Sequence, residues 1–129
     1  MAEKEIVRTE RAPAPFQGAP YNQAVKVGGL VFVAGQLGLV PDGSGIVGEG
    51  VVEQTEQAMK NLRAILEEAG SSLDKLAKTT VFLQDLDDFA AMNEVYAAHV
   101  GDRPPARSTV EVAKLPSGAL VEIEAIAHV

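Results

Sequence analysis

The chain has 129 residues, of which 47% are hydrophobic, so it should form a single domain over residues 1–129 with a real core. It has no cysteine and only two histidines, His99 and His128, which excludes disulfides, thiol chemistry and a zinc site with three or four His/Cys ligands. The formal net charge of −7 disfavours non-specific nucleic-acid binding, which depends on neutralising phosphates with Lys and Arg.

The N-terminal stretch MAEKEIVRTE lacks the apolar segment of a secretory signal. No run in the chain approaches the roughly 18 apolar residues that a membrane-spanning helix needs. We therefore expect a cytoplasmic protein with no membrane partner.

The N-terminal part of the chain is typical of strands. EIVR, residues 5 to 8, gives a weak first strand signal, and a Pro/Ala-rich loop follows it. QAVKV and LVFVAGQ are both rich in β-branched residues, and Gly28 and Gly29 separate them. Two glycines between such runs predict a tight hairpin. LGLVPDGSGIVGEG is then expected to form turns and loop.

Two helices are predicted in the rest of the chain. Apolar residues recur in steps of three and four over 51–69, which indicates an amphipathic helix that Gly70 ends. LAKTTVFLQ is predicted to be a strand. A second helix is expected over 86–100, with Asp85 as its N-cap and Gly101 after its end. ARSTVEV and ALVEIEAIA are predicted as the last two strands.

The predicted order is β-β-β-α-β-α-β-β, which favours an α/β fold with one mixed six-stranded sheet and both helices on one face. LVFVAG is apolar at consecutive positions, so both sides of this strand should be buried. Two helices cannot easily cover both faces of six strands. Another copy of the chain is the simplest cover for the second face. The alternative is that the N-terminal segment folds across it.

Arg107 is the most notable charged residue. Pro104 and Pro105 precede it and fix the backbone that enters the strand. Arg107, Thr109 and Glu111 should point to one side of that strand. The planar guanidinium suits a carboxylate held at two points. The alternative interpretation is a surface arginine paired with an acid.

Glu122 and Glu124 alternate with apolar residues in the last strand. This pattern is usually that of a strand with one solvent-exposed face. The functional interpretation is a carboxylate beside Arg107, placed to orient water or to move a proton.

Asn93 shares a helical stripe with Phe89, Tyr96 and Val100, so its amide is either a satisfied core group or part of a pocket. Tyr21, in the loop GAPYNQA, is on pattern alone an ordinary half-buried tyrosine. His99 and His128 are expected to be surface residues without a catalytic role. The nucleotide, hydrolase and metalloprotease motifs GxGxxG, GxxxxGK[ST], GxSxG and HExxH are absent, so we expect no cofactor and no metal.

The motifs APYNQAV, VFVAGQ, EQTEQAMKNLRAILEEAG, KTTVFLQDLDDFAAMNEVY and, above all, PARSTVEVAKLP…VEIEA closely resemble the RidA (YjgF-type) reactive-intermediate deaminase family. The resemblance covers nearly the whole chain. It implies a chorismate-mutase-like fold, assembled as a homotrimer with the sheets as an inner barrel and with sites in clefts between subunits. It also implies hydrolysis of 2-imino acids, such as 2-iminobutanoate and 2-iminopropanoate, and of their enamine tautomers to 2-keto acids and ammonia.

The resemblance also assigns roles to residues. Arg107 resembles the arginine that binds the substrate carboxylate, and Glu122 the acid that positions the attacking water. The pocket residues implied in the same way are Gly35, through its backbone amide, and Tyr21, Phe89 and Asn93, supplied partly by the neighbouring subunit. Thr109 stands where many members have cysteine and could still make a hydrogen bond. Ala34 replaces a serine of some members.

Three other activities remain open. The same clefts could hold 2-keto acids and report their level to a partner, which needs Arg107 but not Glu122. RNA cleavage with inhibition of translation is also ascribed to the family, but the net charge and the lack of a His cluster disfavour it. A chaperone role ascribed to relatives has no sequence feature that tests it.

Overall fold

A computed structural model describes residues 3–129. Six strands and two α-helices form the fold: β1 Glu5–Val7, β2 Ala24–Val27, β3 Leu30–Leu37, α1 Val51–Glu68, β4 Leu76–Leu83, α2 Phe89–Val100, β5 Ala106–Glu111 and β6 Val121–His128. The strands make one sheet in the order β1-β2-β3-β6-β4-β5. All neighbours are antiparallel except β4 and β5, which are parallel because α2 connects them. The predicted mixed sheet is thereby confirmed.

Local chemistry accounts for most element ends. Gly28 and Gly29 have φ of 57° and 83°, as a two-residue hairpin turn between β2 and β3 requires, so the predicted hairpin is confirmed. The second helix begins later than expected, because Leu86–Asp88 form a 3-10 turn before α2. Asp85 caps that turn by accepting a hydrogen bond from the Asp87 amide at 2.9 Å.

The core lies between the two helices and one face of the sheet. α1 and α2 bury Met59, Leu62 and Met92 against Val81 and Ile123 of the central strands, and all of these side chains are 0% exposed. The helices therefore cover one face, as the sequence predicted. No helix within residues 3–129 is both long and apolar enough to cross a membrane.

The second face of the sheet is only partly covered. In β3, Val31 and Val33 are buried, whereas Leu30 and Phe32 are each 40% exposed. A single chain therefore buries one side of this strand, and the expected cover of the other side by another copy stays a prediction. The N-terminal segment reaches only one end of this face, where Phe16 packs against the buried cluster Leu37, Leu39, Leu115 and Ala119. It does not fold across the whole face.

Candidate functional site

The Arg107 side chain lies on the helix-covered side of the sheet, where β5 meets α2. Thr79 of β4 is its Cα partner in the parallel register. The Arg107 Cζ lies 5.4 Å from the ring centroid of Phe89 and 4.8 Å from that of Tyr96, both on α2. These distances are typical of cation–π contacts, so two rings flank the guanidinium.

Arg107 makes no ion pair with a carboxylate of residues 3–129, whose ion pairs are Arg11–Glu67, Lys26–Glu5 and His99–Glu56. The interpretation of Arg107 as a surface arginine paired with an acid is therefore wrong for this chain. A half-buried guanidinium without a carboxylate keeps its N–H donors for another acceptor.

Two buried oxygens on the same side of the sheet lack a partner. Asn93 Oδ1 lies on α2 one turn after Phe89, and Thr109 Oγ1 lies two residues after Arg107 on β5. Neither atom has a hydrogen-bond partner among the described residues. A buried polar atom without a partner carries a desolvation cost, which often marks a functional position.

Tyr96 connects this group of residues to the core. Its hydroxyl lies 2.6 Å from Thr79 Oγ1, and both residues are nearly inaccessible. Burial raises the pKa of Tyr96, against the opposing effects of the Thr79 hydrogen bond and the Arg107 charge. The phenol therefore stays protonated and neutral near pH 7. Tyr96 was not among the predicted site residues, since an aromatic residue on a helical stripe is equally typical of a core.

A second group of predicted residues lies on the other face. Tyr21, Gly35 and Glu122 line a cavity of about 380 Å³ together with residues of the N-terminal loop. Ala34 and Gly35 form a bulge in β3, because the register with β6 passes from Val33 to Gln36. A Cβ added to Gly35 would lie 2.5 Å from Glu122 Oε2, so the glycine lets this carboxyl rest against the backbone.

The side-chain carboxyl group of Glu122 has a raised pKa. Burial raises its pKa, and the nearby charge of Glu124 raises it further. A carboxyl group in this environment holds or releases a proton closer to neutral pH than an exposed glutamate does. This property suits an acid or base that exchanges a proton with a substrate or a water.

The loop that closes the cavity is held by two polar side chains. The Tyr21 hydroxyl accepts a hydrogen bond from the Phe16 amide at 2.6 Å. Gln23, which the sequence analysis missed, is 3% exposed and donates to the carbonyls of Ala12 and Pro13. Tyr21 itself is 42% exposed, so it forms the open rim of the cavity.

The structure does not bring all the predicted residues together within one chain. Arg107, Phe89, Asn93 and Thr109 are on the helix-covered side, whereas Glu122, Gly35 and Tyr21 are on the opposite face. β4 separates β5, which carries Arg107, from β6, which carries Glu122. The hypothesis that Glu122 lies beside Arg107 is therefore wrong for a single chain.

The histidines differ from each other. His128 is exposed, as expected. His99 was predicted to be a surface residue, but its side chain is only 12% exposed and its Nε2 lies 2.5 Å from Glu56 Oε2 of α1. No group of three or more potential metal-binding residues occurs within residues 3–129.

Residues 9–129 match the family described as Endoribonuclease L-PSP, and the chain belongs to this family. A "RutC family protein" of Pyrococcus abyssi is 51% identical over 125 residues, covering 97% of each chain. The mouse protein named "2-iminobutanoate/2-iminopropanoate deaminase" is 44% identical over 124 residues, covering 96% of this chain and 90% of its own length.

Solved structures agree with this assignment. RidA from an Antarctic Psychrobacter species has a TM-score of 0.91 and 45% identity, covering 97% of this chain and 99% of its own. Escherichia coli TdcF with bound serine has a TM-score of 0.88 and 40% identity, covering 97% of this chain and 98% of its own. The RidA (YjgF-type) membership indicated by the sequence motifs is thereby confirmed.

Proposed function

We propose that this protein hydrolyses reactive 2-imino acids, and their enamine tautomers, to 2-keto acids and ammonia. Water adds across the C=N bond to give a carbinolamine, and the hydroxyl proton then passes to nitrogen as the C–N bond breaks, which forms the keto C=O and releases ammonia. The observation that carries this proposal is the Arg107 guanidinium, which two aromatic rings flank and no carboxylate of residues 3–129 neutralises.

Arg107 would bind the substrate carboxylate. Cation–π contacts do not use the N–H donors of the guanidinium, and a planar carboxylate accepts two parallel hydrogen bonds from these donors. Asn93 Oδ1 and Thr109 Oγ1 are the unpartnered oxygens of this group, and a substrate N–H would give one of them a donor. The binding of a small, planar, nitrogen-bearing anion therefore fits these residues.

Glu122 would orient the attacking water and transfer a proton during the reaction. Burial raises the pKa of Glu122 above that of an exposed glutamate, which supports a role in proton exchange. The bulge at Gly35 offers a backbone amide as a further hydrogen-bond donor to the substrate carboxylate. Imines hydrolyse in water unaided, so orienting the substrate and transferring a proton suffice for catalysis. No covalent nucleophile is required in this mechanism.

The two groups of residues would meet between subunits. We propose that copies of the chain form a closed homotrimer in which the Arg107 side of one subunit faces the Glu122 side of the next. The exposed Leu30 and Phe32, each 40% accessible, support burial of the second face by other copies. A contact between two different surfaces repeats around a ring until it closes. A cytoplasmic location is part of the same proposal.

The relatives support this choice of substrate. The mouse relative carries the name of an iminobutanoate and iminopropanoate deaminase, and TdcF was solved with serine, a small molecule with a carboxylate. The family description names an endoribonuclease, but the net charge of −7 disfavours RNA as the substrate here.

A coupled assay tests the proposal. A threonine dehydratase generates 2-iminobutanoate in situ, and semicarbazide traps whatever escapes hydrolysis. The protein should reduce the trapped fraction. Arg107→Lys should abolish most of this effect, whereas Arg103→Lys, an exposed arginine in the loop before β5, should not. Trapping that is identical with and without the protein would refute the proposed activity.

Binding without catalysis is the second candidate, since the TdcF structure holds an intact amino acid. Turnover and affinity measured on both the parent and Glu122→Gln distinguish the two, because binding of a 2-keto acid does not need the Glu122 proton. Under the catalytic proposal this variant loses turnover and keeps affinity. Under the binding-only alternative the parent protein itself binds 2-oxobutanoate without accelerating imine loss.

A further inference from the structure

Arg107, Thr79 and Tyr96 form a group of three residues that contact or pair with one another. Thr79 pairs with Arg107 in the β4–β5 register. The Thr79 hydroxyl is 2.6 Å from the Tyr96 hydroxyl, and the Tyr96 ring centroid is 4.8 Å from Arg107 Cζ. Each member of the arrangement thus contacts or pairs with the other two.

Of the two rings that flank Arg107, the ring of Tyr96 is the more constrained. It is 5% exposed and anchored at its hydroxyl, so its ring cannot swing away from the guanidinium. Phe89 is 41% exposed and has no polar group to anchor it. The orientation of the guanidinium plane therefore depends more on Tyr96 than on Phe89.

We propose that Tyr96, anchored by Thr79, is a positioning residue that fixes the guanidinium plane of Arg107 before the substrate arrives. A long arginine side chain otherwise loses rotamer freedom when it binds an anion, and an arrangement that orders it in advance removes that loss from the binding step. The inference rests on the proposed function for the identity of the anion, a 2-imino or 2-keto acid carboxylate.

The free protein provides a test that needs no ligand. The Arg107 Nε–H signal is assigned in ¹⁵N NMR spectra by its disappearance in Arg107→Lys. In the parent its order parameter should approach that of rigid backbone, about 0.85, and in Tyr96→Leu it should fall below about 0.6. An Arg107 signal as mobile in the parent as that of the exposed Arg103, or one that stays rigid in Tyr96→Leu, would overturn the inference.

Matched variants separate positioning from general core damage. Val100→Ala also truncates a buried residue of α2 but does not remove the ring under Arg107, so it should leave the Arg107 signal rigid. Tyr96→Phe and Thr79→Val keep the ring and remove only its anchor. Both should lower the Arg107 order parameter to a value between those of the parent and Tyr96→Leu. If Tyr96→Leu does not fold, these two variants provide the test in its place. Full rigidity in both anchor variants would contradict the role given to Thr79.

Calorimetry with 2-oxobutanoate gives the second measurement. Tyr96→Leu should weaken binding by about twofold to thirtyfold, the range expected for one lost cation–π contact. The same change in an Arg107→Lys background should have little further effect, because Tyr96 acts through the guanidinium. An equal loss in both backgrounds would make Tyr96 a purely structural residue. A parent that fails to bind 2-oxobutanoate would refute the proposed function. The NMR order parameters would still show whether Tyr96 positions the Arg107 guanidinium.

Discussion

Asn93→Leu should stabilise the protein and impair its activity at the same time. Asn93 Oδ1 is buried without a hydrogen-bond partner in residues 3–129, on a helical stripe that is otherwise aromatic or aliphatic. Leucine has the same number of side-chain heavy atoms and no polar group to bury. The substitution therefore removes a desolvation cost, and it also removes the acceptor proposed for the substrate.

The size of both effects follows from the structure. An unsatisfied buried polar group costs about 1–3 kcal/mol, and the partial exposure of Asn93 places it near the lower end. Leucine adds a few tenths of a kcal/mol in helix propensity. A gain of about 1–1.5 kcal/mol should raise the melting temperature by roughly 3–6 °C for a domain of this size. One lost hydrogen bond to substrate should lower turnover by about threefold to tenfold.

The measurement compares melting temperature and imine turnover on the same purified protein. Thr55→Val is the matched control, since Thr55 Oγ1 is also buried without a partner among the described residues but lies on α1 rather than on α2 or β5. Thr55→Val should gain stability and keep full activity. A lower melting temperature for Asn93→Leu, or imine turnover at the parental rate, would refute this role of Asn93.

Three further predictions concern other parts of the chain. Glu122→Gln should reduce imine turnover by at least about 100-fold while calorimetry finds 2-oxobutanoate affinity unchanged or tighter, and parental turnover would make Glu122 a structural residue. Gly38→Ala should cost about 1–3 kcal/mol in the free energy of unfolding, because the added Cβ would lie 2.6 Å from the Gln54 carbonyl oxygen; an unchanged denaturation midpoint contradicts this. The His99 hydrogen bond holds the pKa of Glu56 below its ordinary value of 4.5, so this stabilisation is present above pH 4.5 and is lost as pH falls through the lowered pKa. Glu56→Gln should therefore lose less stability on acidification than the parent, and equal acid sensitivity would refute the coupling.

Much of the fold could be predicted because its signals are local. The period of α1, the β-branched runs and the glycine pair at 28–29 each specify an element from neighbouring residues alone. The start of α2 was predicted too early, because Asp85 caps a 3-10 turn as well as it caps an α-helix. The paired side chains His99 and Glu56 could not be predicted, since they depend on how α1 packs against α2.

The candidate site was predicted as a set of residues but not as a geometry. Alternation within a strand shows which residues share a side, so Arg107 and Thr109 were correctly expected together. It does not show which side two different strands present to the helices. The placement of Arg107 and Glu122 on opposite faces follows from the non-local pairing of β5 and β6 with β4, in which Arg107 pairs with Thr79 and Glu122 with Phe82, positions that alternate to opposite sides of the strand. Tyr96 was placed on the helical stripe but not in the site, because its role depends on a contact between α2 and β5.

Subunit complementation tests the central claim, that Arg107 of one subunit and Glu122 of the next form one site. Arg107→Lys and Glu122→Gln proteins, each inactive alone, are mixed in equal amounts, dissociated and reassembled. About three quarters of the trimers are then mixed, and each mixed trimer has one intact site of three, so about a quarter of the parental activity should return. A mixture that forms heterotrimers and stays as inactive as its components would contradict the account.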